Sequence, residues 1–98
     1  MAGEMDDVIK EINQFFQSLN FKRFDINDNA NFEYKGEYYM LTKDGNSYYL
    51  ECAFTLDEVK NRCHEDVGGY SAILYAKEEL IEIIKNDIIK HTVHAEED

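Results

Sequence analysis

Residues 32–54 read Phe32-Glu33-Tyr34-Lys35-Gly36-Glu37-Tyr38-Tyr39-Met40-Leu41-Thr42-Lys43-Asp44-Gly45-Asn46-Ser47-Tyr48-Tyr49-Leu50-Glu51-Cys52-Ala53-Phe54. Two polar breaks, Lys35-Gly36 and Asp44-Gly45, cut this run into three apolar-aromatic segments. Asp-Gly between such segments is a strong two-residue hairpin signal, because both central positions of a type I′ turn need positive φ. With Asp44-Gly45 as the loop, Lys43 faces Asn46, Leu41 faces Tyr48 and Tyr39 faces Leu50. With Lys35-Gly36 as the other loop, Tyr34 faces Glu37 and Phe32 faces Tyr39. Side chains along a strand alternate faces. One face therefore collects Phe32, Tyr34, Tyr39, Leu41, Tyr48, Leu50, Cys52 and Phe54. The other collects Glu33, Tyr38, Met40, Tyr49 and Glu51. This register sets Tyr49 opposite Met40 and Tyr38 opposite Glu51.

The first face is a core face. The second is unusual, with two tyrosines and a methionine set between carboxylates. Tyrosine and methionine are enriched where proteins meet, since they offer large contact area at small entropic cost. Cross-strand pairing and β-propensity account for the aromatics equally well if another element covers them.

Before the meander, residues 4–19 form an amphipathic helix. Met5, Val8, Ile9, Ile12, Phe15, Phe16 and Leu19 recur at spacings of three and four. Residues 21–31 read as a loop rich in Asn and Asp, with a short edge strand through Phe21, Phe24 and Ile26 as the alternative. After the meander, Thr55-Leu56-Asp57-Glu58 has capping-box spacing and opens a helix to about His64. Leu56, Val59 and Cys63 would face inward. Gly68-Gly69 would end this region. Residues 70–75, YSAILY, read as a fourth strand or as the start of one long helix, since periodicity does not decide so short a run. Lys77 to His91 is the last helix, with Leu80, Ile81, Ile84 and Ile88 on one side. Thr92 to Asp98 reads as a frayed acidic tail.

The order is helix, three-strand antiparallel meander, helix, short strand, helix. The expected fold class is α+β, a single domain over residues 1–98 with the helices packed on one sheet face. A chain of 98 residues is long enough for one core without disulfides or metal. Cys52 and Cys63 are expected to be buried structural thiols, with no Cys-x-x-Cys pairing. The start, Met1-Ala2-Gly3-Glu4, lacks the layout of a secretory leader, so a cytoplasmic protein is expected.

The chain carries 21 acidic against 10 basic side chains, a net charge of −11. That argues against nucleic acid and anionic membranes as direct partners, because phosphate binding needs clustered Lys and Arg. It favours a basic protein partner, reached with help from electrostatic steering. No glycine-rich phosphate loop, nucleophile elbow or His-Glu-x-x-His is present, so no catalytic role is expected. His64-Glu65-Asp66 cannot converge on a metal from a helix, because consecutive side chains point apart. His91 and His94 lack further fixed ligands. Neither a metal nor a cofactor is expected. The candidate partner-binding residues are Glu33, Tyr38, Met40, Tyr49 and Glu51 on the sheet, with Glu65, Asp66 and Tyr70 as an acidic contact loop.

Four words in the second half carry a family likeness: Tyr48-Tyr49-Leu50-Glu51-Cys52-Ala53, Leu56-Asp57-Glu58-Val59, His64-Glu65-Asp66-Val67 and Glu78-Glu79-Leu80-Ile81. This layout resembles small bacterial immunity proteins of polymorphic toxin systems. There a strand ending in Glu-x-Ala runs into a helix, followed by an acidic Glu-Asp loop and a closing Leu-Ile helix. Cys52 departs from it, standing where an aromatic residue is expected. The resemblance implies a non-catalytic inhibitor, monomeric or weakly dimeric, that binds a basic toxin domain, often a nuclease. Its carboxylates would face the toxin's Lys and Arg, and its tyrosines would form the dry centre of the contact. The alternative is another binding module: a secretion chaperone dimerising through Ile83 and Ile89, a phage nucleic-acid mimic, or an adaptor.

Overall fold

The computed structural model describes residues 6–92. Met5, His94 and the tail beyond Thr92 lie outside them; Thr92 itself, expected to fray, is buried at the end of the last helix, its hydroxyl donating to the Ile88 carbonyl at 2.6 Å. The elements are α1 (Asp7–Ser18), β1 (Lys22–Ile26), β2 (Asn29–Tyr34), β3 (Glu37–Asp44), β4 (Ser47–Ala53), α2 (Leu56–Lys60), β5 (Glu65–Ser71) and α3 (Lys77–His91). The strands form one antiparallel sheet in the order β1-β2-β3-β4-β5. The fold is α+β, as the residue pattern requires, but the meander has five strands rather than three.

The β2–β3 turn lies where the sequence places it. Lys35 and Gly36 both have positive φ (51° and 87°), and Tyr34 pairs with Glu37 and Phe32 with Tyr39. The β3–β4 turn differs. Gly45 (φ 62°) takes the first central position and Asn46 the second, and Asp44 pairs with Ser47. A glycine in that position suits a type II′ loop. Each β3 residue therefore faces a partner two places further along β4 than expected: Met40 faces Glu51, Tyr38 faces Ala53, and Tyr49 faces Thr42. A shift of two leaves every side chain on its expected face.

Before the meander the chain forms a further hairpin, so the edge-strand alternative holds over Lys22–Ile26 and the loop reading does not. Asn27 and Asp28 both take positive φ (54° and 65°) and turn β1 back onto β2, pairing Lys22 with Glu33 and Ile26 with Asn29. Short polar side chains tolerate this left-handed backbone better than most residues.

Two further expectations fail. The helix after the meander stops at Lys60, Arg62 turns the chain with φ 57°, and Cys63 is exposed rather than buried. The fifth strand begins at Glu65 and ends at Ser71, so Gly68-Gly69 lie inside it and residues 72–75 lie outside. Gly68 is demanded by packing. A Cβ there would come within 2.4 Å of the Tyr70 Oη.

The main core lies on the expected face. Val8, Ile12 and Phe16 of α1 and Leu80, Ile81, Ile84 and Ile88 of α3 pack with Phe32, Tyr39, Leu41, Tyr48, Leu50, Cys52 and Tyr70 of the sheet. The Phe16 ring stacks on Phe32 at 4.8 Å, and Phe21 stacks on Tyr34 at 4.7 Å. Burying such rings contributes roughly 1.5–3 kcal/mol each. Phe54 does not join them; it is 51% exposed, beyond the end of β4.

The helices do not share one face. α1 and α3 pack together over the core face. Val59 of α2 is buried, yet it lies outside that core. Asn31 and Met40 are buried on the opposite face of the sheet, and Asn31 bonds to His64 just beyond α2. The Asn27 amide also donates to the Val59 and Lys60 carbonyls at the end of α2 (3.4 and 2.9 Å). The short helix thus crosses the second face and seals part of it.

Candidate functional site

The second face is built from alternate residues of all five strands. The Phe24 ring on β1 meets the Tyr38 ring edge-on at 5.7 Å. Glu33 and Tyr38 are cross-strand partners, as are Met40 and Glu51, then Thr42 and Tyr49. Asp66 of β5 stands opposite Glu51. The strand pairing slips by one residue between Leu50 and Glu51, and this bulge is what aims Asp66 at the second face.

The carboxylates here are held by neutral donors. The Glu33 Oε2 accepts from the Gly36 N–H at 2.7 Å. The Thr42 hydroxyl donates to Glu51 Oε2 at 2.7 Å. Tyr38 and Tyr49 are half-buried, and the Tyr49 ring lies over Gly69, about 3.6 Å from where a Cβ would stand.

Not all of the candidate residues join this group. Glu33, Tyr38, Tyr49, Glu51 and Asp66 share the face and retain exposure. Met40 shares it but is buried, so it floors the surface rather than presenting itself. Glu65 pairs with Cys52 and so takes the parity of the other face, at the sheet edge. Tyr70 is a correction. It is 7% exposed and sits in the main core, where its hydroxyl donates to Asp87 Oδ2 of α3 at 2.7 Å. Burial and then the Asp87 charge push its pKa up, so it stays a neutral donor. Glu65, Asp66 and Tyr70 therefore do not form one contact loop.

Sequence reasoning missed the polar residues beneath this face. His64 places Nε2 2.9 Å from Asn31 Oδ1, and as a neutral ring it donates there. Its Nδ1 is buried and has no hydrogen-bond partner among the described residues. Burial holds the His64 pKa below its ordinary value against the opposing pull of Glu51 and Glu58. Asn31 was legible in principle, because its parity matches Glu33; His64 was not, since it arrives from a non-strand segment.

A second unforeseen feature is the turn after β5. Ile73 and Leu74 are 74% and 75% exposed. The Ala72 N–H donates to the Asn46 carbonyl at 2.7 Å, and the Ile73 N–H to the Ser71 hydroxyl at 3.2 Å, which fixes the knuckle against the β3–β4 turn. Tyr75 lines a cavity of about 260 Å³ with Asp6, Asp7, Val8, Tyr48, Ala72, Lys77 and Leu80.

The Cys52 thiol is buried and pushed up to about 11, first by burial and then by the Glu37 charge. It is a packing group, not a thiolate nucleophile. Among the described residues, no three His, Cys, Asp or Glu side chains are placed to share a metal ion, and no helix is long and apolar enough to cross a membrane. Comparison with protein-family models, with curated proteins and with solved structures returns no match for this chain.

Proposed function

We propose that this chain is a non-catalytic immunity protein, one that binds and inhibits a basic toxin domain through the open part of its second sheet face. The observation that carries the reading is the juxtaposition of half-exposed Tyr38 and Tyr49 with Glu33, Glu51 and Asp66 on a face only partly sealed by α2. The tyrosines offer rigid, amphipathic contact area, and the carboxylates around them suit Lys and Arg on the partner. The net charge of −11 supplies long-range attraction toward a basic surface. The layout of the second half of the chain, similar to immunity proteins of polymorphic toxin systems, supports the same reading. A cytoplasmic location accords with that role.

The experiment pairs the purified chain with the toxin domain encoded beside it. Tyr49→Ala should weaken binding by about 1–3 kcal/mol, mostly as faster dissociation, as expected for a central aromatic contact. Glu51→Lys should slow association and flatten its dependence on salt. Full inhibition by both variants, with unchanged rates, would move the contact elsewhere on the molecule.

A further inference from the structure

Among the described residues β1 is an edge strand, pairing with β2 on one side only. A two-residue turn makes its closing residues, Ile26 and Asn29, a hydrogen-bonded pair. By alternation Phe24 and Lys22 also bond toward β2. Arg23 and Asp25 then direct their backbone N–H and C=O groups away from the sheet. These two residues carry opposite charges on the same strand face. Their side chains are 39% and 67% exposed, and the Arg23 Nε donates to Asp25 Oδ1 at 2.9 Å. That bond uses one of the five guanidinium donors.

We propose that the β1 edge pairs antiparallel with β1 of a second copy of this chain, about a two-fold axis at Phe24, joining the sheets into one of ten strands. Charge selects the register. The outward-bonding residues can meet in three ways. An axis at Arg23 sets arginine against arginine, and one at Asp25 sets aspartate against aspartate. An axis at Phe24 sets Arg23 of each copy against Asp25 of the other, twice, as hydrogen-bonded pairs. Charge on an edge usually blocks pairing. Here the two signs alternate so that one self-pairing is complementary. The other edge does not compete well: β5 carries Glu65 and Asp66 and a bulge. One usable edge and a two-fold operator give a closed dimer, not a fibre. The contact is small and both copies are acidic, so the dimer is weak.

Sedimentation equilibrium of the whole chain over a wide concentration range tests this. The mass should rise from 11.5 kDa toward twice that value. Arg23→Asp alone, or Asp25→Arg alone, places like charges opposite each other twice and should weaken self-association at least about tenfold. A mixture of the two variants restores both opposite-charge pairs and should recover the dimer, as should the double variant. Thermal melts of each variant confirm folding. A mass fixed at 11.5 kDa at every concentration overturns the proposal. So does equal self-association by all variants, or a mixture that stays monomeric.

Discussion

Asp6 and His64 show how single side chains fasten this fold. Asp6 caps α1, its Oδ1 accepting from the Val8 and Ile9 N–H groups at 2.9 and 3.4 Å. The same carboxylate takes the Tyr48 hydroxyl at 2.7 Å and the Lys43 ammonium at 3.1 Å, tying the helix start to the β3–β4 hairpin. Burial raises its pKa, but these hydrogen bonds outweigh burial and hold the carboxyl below its ordinary value. His64 is shifted the same way but favours its neutral form. Its pKa is lowered because the ring is buried, so the folded state resists a proton that the unfolded chain accepts. Stability linked to His64 is complete above the unfolded value near 6.5 and falls as pH drops from there through the lower folded value. The melting temperature should therefore decline from about pH 7 to about pH 5, beyond what carboxylates contribute at lower pH. Glutamine can keep the bond to Asn31 without titrating. His64→Gln should flatten that limb, and NMR titration of the ring should give a midpoint below 6.5. A midpoint above 6.5 would show that Glu51 and Glu58 outweigh burial.

At the level of elements, the sequence was most readable where side-chain alternation and turn chemistry agree. Phe32, Tyr39, Leu41, Leu50 and Cys52 went to the core because an even register shift cannot move them. The shift itself was illegible, since Asp44-Gly45 and Gly45-Asn46 are both good turn pairs and only strand pairing separates them. Of the β1–β2 hairpin, the edge strand through Phe24 and Ile26 was legible as an alternative, because Arg23 and Asp25 alternate with them; the turn and the start of β2 were hidden because residues 27–31 read as one polar loop. β5 was misplaced because its two glycines look like a terminator. Gly68 instead leaves room for Tyr70, whose hydroxyl reaches Asp87 across the core face. Adding one methyl there must displace the Tyr70 ring or the strand. Gly68→Ala should cost about 1–3 kcal/mol in denaturant unfolding, comparable to losing a buried hydrogen bond to a charged group. Tyr70→Phe removes the atom nearest the new methyl. The double variant should therefore cost less than the sum of the singles, a coupling that a double-mutant cycle reads directly. Additive costs would mean that the backbone moves instead of the ring.

Across the whole molecule, two demands on the surface compete. The core face is covered by α1 and α3, so the candidate contact group is confined to the part of the second face that α2 leaves open. Parity gathered Glu33, Tyr38, Tyr49 and Glu51 there; the bulge that delivers Asp66, and the burial that withdraws Tyr70, depend on β5 and could not be read from spacing. The same chain carries eleven more negative than positive charges, and compaction brings them together. Ion pairs such as Arg23–Asp25, Lys43–Asp6 and Lys77–Asp7 are at or near the surface, where water weakens each of them. Salt acts on both terms with opposite sign. It screens the few attractive pairs, which destabilises, and it screens the summed repulsion of the excess carboxylates, which stabilises. Repulsion acts over many pairs separated by about a Debye length or more, where screening is most complete, whereas the bonded pairs are in contact and lose less. The repulsive sum should dominate. Raising the salt from about 0.01 M to about 0.15 M at neutral pH should raise the melting temperature by a few degrees. Sulfate also favours burial by exclusion from the surface, so chloride is the salt to use. A fall in melting temperature with chloride would mean that the local pairs outweigh the net charge, and the acidic surface would then be internally balanced rather than held ready for a basic partner.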